Sequence, residues 1–198
     1  MALDFDAPET VDTGGGNWLK EPGTYHAIVT GQKENPVSKD GVGLDAIEVT
    51  LQILAGTVDG QKDRTVDVKF WNPKLNGKDG GLFARQKQAR LYIATGLMDE
   101  SKLGQGVRIN LADAVARQVV LTLDHSDEEK KYLELSYANI WHIDDPDAAG
   151  FPKCAEHLKL IPADQRRKPD SFNKSNGNGS SKPSQSKQPA ESVDLSDL

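Results

Sequence analysis

The chain of 198 residues has one cysteine, Cys154. A single thiol excludes an internal disulfide framework and fits a reducing compartment. Hydrophobic residues make up 36% of the chain and aromatic residues 6%, with a mean hydropathy of −0.58, so part of the chain has too little apolar matter to build a core. No apolar run approaches a membrane span, and Met1 to Asp6 is acidic without the apolar stretch of a secretory leader. We therefore expect a cytoplasmic protein. A basic excess is also lacking: 24 Lys and Arg stand against 30 Asp and Glu, for a net charge of −6. That excludes a uniformly basic surface but leaves room for a local basic patch. A Gly-rich phosphate loop and a nucleophile elbow are absent, and no enzyme is expected. Cys154 and His157 have half the spacing of a zinc site without a second cysteine to complete it, so neither metal nor cofactor is expected.

What the chain does have is alternation. In the segment from Gly43 to Trp71, Ile47, Val49, Leu51 and Ile53 alternate with Glu48, Thr50 and Gln52. After the Val58-Asp59-Gly60 turn, Val66, Val68 and Phe70 alternate with Asp67, Lys69 and Trp71. Period-2 patterning of this kind predicts a hairpin with one apolar and one polar face. Thr24 to Glu34 predicts a strand before it, and Gln118 to His125 and Tyr132 to Asp144 predict two strands after it. Between them, Leu82, Gln86, Ala89, Ile93 and Leu97 form a mostly apolar helical stripe, with Arg85, Lys87 and Arg90 off its centre. The fold class expected is mainly β: a five-stranded barrel of the OB type with one helix between strands 3 and 4.

Composition divides the chain. Residues 1–20 read as a flexible acidic arm, residues 21–160 as the folded domain, and residues 161–190 as a disordered linker of Ser, Asn, Gln and Pro with basic residues. Residues 191–198 form an acidic tip in which Glu191, Asp194 and Asp197 are interleaved with Leu195 and Leu198.

A barrel, a polar linker and an acidic tip together resemble the single-stranded DNA-binding proteins of bacteria and phages. The resemblance implies that the barrel binds the strand and the tip docks replication or recombination proteins. Here the tip ends Asp-Leu-Ser-Asp-Leu, with leucine where the bacterial family usually carries Phe-Pro-Phe and phage counterparts often end in Phe. The domain is also similar to a family of small phage and prophage proteins of unknown function, found near recombination and replication genes. That likeness rests on Phe5-Asp6, Glu21 to Tyr25, the Val58-Asp59-Gly60 turn, Phe70-Trp71-Asn72 and Thr95-Gly96-Leu97.

Sequence-tolerant single-strand binding needs aromatic faces for stacking and Lys or Arg for phosphates. The candidates are Trp71 and Lys69 on the polar face of the third strand, and Lys62 and Arg64 at its start. Lys33 and Lys39 flank the first loop, Lys74 and Lys78 follow Trp71, and Tyr25 opens the first strand. Tyr132 is a further aromatic candidate. Trp141 and Tyr137 share the parity of Leu133 and Leu135, which predicts core. Residues 21–160 hold 17 basic and 21 acidic residues, so a phosphate track has to be local. The competing reading is a protein-interaction adaptor that binds no DNA; self-association stays open.

Overall fold

The structure, a computed structural model, describes residues 17–37, 41, 43–72, 77–126, 132–168 and 171–172. For residues 77–80, 137 and 138 it describes the backbone alone. Alternating segments form five strands: β1 (Gly23–Glu34), β2 (Ala46–Gly56), β3 (Thr65–Trp71), β4 (Gln118–His125) and β5 (Leu133–His142). They make one antiparallel sheet in the order β3-β2-β1-β4-β5. Helix α1 (Gly77–Ala94) lies between β3 and β4 in the chain and packs on β5 and β3. Among the described residues, no helix is long and apolar enough to cross a membrane.

The inner face of the sheet is the core. Val49 and Leu51 of β2 stand opposite Val68 and Val66 of β3, and all four are buried. Tyr25, Ala27 and Val29 of β1 and Val119, Leu121 and Leu123 of β4 continue that face. Burying each large aliphatic side chain contributes about 1.5–3 kcal/mol. On α1, Leu91 and Ala94 join this core and Tyr92 packs against it, and Ala84 and Ile93 are buried as well. Of the stripe expected from the sequence, Ile93 is buried and Leu97 packs against the core, but its first member, Leu82, is 62% exposed. The helix stops where Gly96 adopts φ +73, with Gly96 N–H donating to Ile93 and Leu97 N–H to Tyr92, a Schellman cap.

The expected closure of the barrel is not made. Among the described residues no ladder joins β3 to β5, so the sheet is open along that line. The cause lies in β5. Leu121 of β4 pairs with Ile140, but Leu123 pairs with Leu135, so β5 carries three extra residues across that step. Irregularities of this kind bend a strand. The first half of β5 stands off from β3 instead of bonding to it. The same irregularity reverses the parity predicted for Trp141. Its side chain emerges on the outer face, 5.6 Å from the Phe151 ring, rather than in the main core. The side chain of Tyr137 lies outside the described residues.

Two segments reach the sheet from its ends. Asn17 to Leu19, counted with the arm in the sequence, run along the start of β3: Leu19 N–H donates to Thr65 and Thr65 N–H to Asn17. Beyond β5, residues 146–161 cover the outer face of β4 with Ala148, Phe151, Leu158 and Ile161. This cover includes the short helix α2 (Ala155–Leu158).

Candidate functional site

The gap left between the two edge strands is a cleft of about 340 Å³. β3 contributes Asp67, Lys69 and Trp71, α1 contributes Phe83 and Lys87, and β5 with the residue before it contributes Tyr132 and Glu134. Val68 and Leu135 also line it and tie it to the core. The alternation of β3 places Lys69 and Trp71 on the outer face while Val66, Val68 and Phe70 point inward. Three large aromatic side chains remain open to solvent here: Trp71 at 42%, Phe83 at 39% and Tyr132 at 58% exposure. Isolated exposed aromatics are ordinary, but three in one cleft are a surface that a flat apolar ligand could cover.

Its electrostatics are mixed. The Lys69 ammonium lies 3.7 Å from Glu48, its cross-strand neighbour, at the exposed rim. Lys87 stands over the Phe83 ring at 5.7 Å. Burial lowers its pKa from the usual lysine value, against an opposing pull from Glu134. Asp67 Oδ1 accepts the Thr50 hydroxyl at 2.7 Å. At their closest, Cα atoms of β3 and β5 lie within 8 Å of each other. An inserted peptide strand needs roughly 9.5 Å between its neighbours, so it does not fit at that point.

Of the residues singled out in the sequence, Trp71, Lys69 and Tyr132 meet in this cleft. Lys62 is exposed in the turn before β3, at the opposite end of that strand, roughly 20 Å away by strand rise. Lys33 is exposed on β1 and shares a row with Glu48 and Lys69 on the outer face. Arg64 is spent on structure: its guanidinium donates to the carbonyls of Trp18 at 3.0 Å and Gly60 at 3.3 Å. Tyr25 is not a stacking residue. It is fully buried, its hydroxyl donates to the Glu21 carbonyl at 2.7 Å, and burial raises its pKa to about 12. Lys39, Lys74 and the tip residues Glu191, Asp194, Leu195, Asp197 and Leu198 lie outside the described residues, as does the side chain of Lys78. Phe83 was missed because it sits next to the apolar stripe assigned to α1. The signal was available: a large aromatic beside Leu82, one turn before Lys87.

The thiol and imidazole spaced as half a zinc site, Cys154 and His157, lie against each other. Cys154 Sγ lies 3.1 Å from His157 Nδ1, and Cys154 N–H donates to His26 Nδ1 at 2.9 Å. Among the described residues, no three His, Cys, Asp or Glu side chains are grouped to hold a metal ion. Compared with known proteins, the chain matches no protein-family model and no curated protein sequence.

Proposed function

We propose that the protein binds single-stranded DNA through the cleft between β3 and β5, stacking bases on Trp71, Phe83 and Tyr132. The observation that carries this reading is the convergence of three solvent-open aromatics with Lys69 and Lys87 on one cleft. Stacking on each ring contributes about 1–3 kcal/mol whichever base is present, and the lysines meet the backbone. Duplex DNA keeps its bases stacked inside and offers no faces to these rings. The strand order and the helix between β3 and β4 support reading the sheet as an OB-type barrel left unzipped between β3 and β5. Residues 191–198 would then recruit replication or recombination proteins through their acids and leucines. A second reading, a protein-interaction adaptor, is favoured by the acids Asp67 and Glu134 in the cleft.

The test is a fluorescence-anisotropy titration of labelled oligo-dT against the intact chain and Trp71→Ala, with duplex of the same length as control. Micromolar or tighter binding that prefers the single strand and weakens about fivefold or more in the variant is expected, since losing one stacked ring costs about 1–3 kcal/mol. Absence of binding at low salt would leave the adaptor reading in front. Tight binding indifferent to the substitution would move the site away from Trp71.

A further inference from the structure

Stacking does not account for the two carboxylates in the cleft. Asp67 lies on β3 and Glu134 on β5, so acids face the gap from both of its strands. Thr50 occupies Oδ1 of Asp67, and among the described residues no donor is placed on Oδ2. Next to a phosphate such groups repel. Next to the edge of a base they are acceptors, and the exocyclic amino groups of cytosine, adenine and guanine are donors. Thymine has no amino group; two carbonyl oxygens flank its single ring N–H. Lys69 and Lys87 line the same cleft and meet the backbone, so the carboxylates are the groups left for the base edge.

We infer that the cleft discriminates among bases. Asp67 and Glu134 accept the exocyclic amino group of the base stacked there, and cytosine is favoured over thymine at that position. The inference rests on the single-strand reading above and adds a specificity that stacking lacks. Stacking and backbone flexibility by themselves produce only modest preferences.

The experiment compares oligo-dC and oligo-dT of equal length, at pH 7.5 and one fixed salt concentration, by anisotropy. It uses the full chain, Glu134→Gln and Asp67→Asn. Glu134 is exposed, so its amide variant is expected to fold, which a thermal melt checks. The intact chain is expected to bind oligo-dC about fivefold more tightly than oligo-dT, the low end for one good base contact. In the amide variants the ratio should fall towards one, because oligo-dC loses a charged acceptor that oligo-dT never used. Equal affinity of the intact chain for the two oligonucleotides would overturn the inference and leave single-strand binding standing. A ratio unchanged in both variants would overturn the assignment to these carboxylates. Failure to bind either oligonucleotide would overturn both the inference and the function it rests on.

Discussion

His26, near the start of β1, accepts the backbone N–H of Cys154 on Nδ1 at 2.9 Å, a contact that spans 128 positions of sequence. Its other nitrogen meets the Gln118 carbonyl oxygen at 2.9 Å, and the Gln118 amide donates in turn to the His157 carbonyl. With Nδ1 an acceptor, Nε2 carries the proton and the ring is neutral. This arrangement pins residues 146–161 to the outer face of the sheet, and it functions only with an uncharged imidazole.

The first prediction concerns pH. Burial lowers the pKa of His26 to about 4, and His142, also buried, is lowered to about 4 by burial and by Arg167. His142 Nδ1 lies 3.9 Å from Asp144 Oδ2, but that nitrogen accepts the Asp144 N–H at 3.1 Å, so the neutral ring forms no ion pair. Unfolded, each imidazole takes up a proton near pH 6.5; folded, each resists until about pH 4. In that window the unfolded chain binds more protons, so stability falls as pH falls, by an amount on the order of 3 kcal/mol per imidazole across the full span. Urea denaturation at pH 7.5 and pH 5 should show a lower midpoint at pH 5, with a smaller difference in His26→Gln. Equal midpoints would contradict the buried neutral rings.

The second concerns Gly56. It stands opposite Tyr25 across β1 and β2, and a methyl group at Gly56 would overlap the Tyr25 ring. The ring has nowhere to go, because Tyr25 is fully buried and held by its hydroxyl. Gly56→Ala should cost about 1–3 kcal/mol, as overpacking does. The same change in a Tyr25→Leu background should cost less, because the crowding atoms are gone. A denaturant double-mutant cycle measures the difference, and additive costs would show that the ring is not the obstacle.

Much of this fold is legible in the sequence because each strand of the first hairpin carries an unbroken period of two, and the burial of Val49, Leu51, Val66 and Val68 follows it. Legibility ends where a strand is irregular. Nothing in Leu133 to His142 announces the extra residues opposite Leu121 and Leu123, so the parity of Trp141 and the open line between β3 and β5 do not follow from pattern alone. Trp71 and Lys69 were readable as a surface pair on one strand. Phe83, Lys87 and Glu134 join them only through tertiary placement. Tyr25 shows the converse: an aromatic at a strand start reads equally well as ligand platform or core, and its pairing with a glycine decides for core.

The third prediction concerns Asp144, a nearly buried carboxylate that holds the chain after residue 160. It accepts Arg166 through the guanidinium at 2.6 and 3.0 Å and the Arg167 backbone N–H at 2.9 Å. Charge-assisted bonds of this kind are about twice as strong as neutral ones. Asp144→Asn keeps the shape and loses the charge, and should loosen residues 163–168 by about 1–3 kcal/mol. Limited trypsin digestion should then cleave after Arg166 or Arg167 about tenfold faster, while the melting temperature of the sheet changes little, since local and global opening differ. An unchanged cleavage rate would show that other contacts, such as Arg167 to the Met98 carbonyl, carry the hold.

The fourth separates the two ends of β3. If the strand lies in the cleft, a lysine there releases counterions on binding, and removing it reduces the slope of log K against log salt by about 0.7. Lys87 lines the cleft, partly desolvated against Phe83, whereas Lys62 sits in the turn at the other end of the strand. Lys87→Ala should therefore weaken oligo-dT binding and flatten the salt dependence, and Lys62→Ala should leave the slope as it was. Lys69→Ala is expected to fall between them, because Glu48 already neutralises part of that charge at 3.7 Å. Titrations at four salt concentrations measure all three. A slope lowered equally by Lys62→Ala and Lys87→Ala would mean that the backbone track runs along the whole outer face of β3. In that case the rings of Trp71, Phe83 and Tyr132 would mark one stop on a longer path.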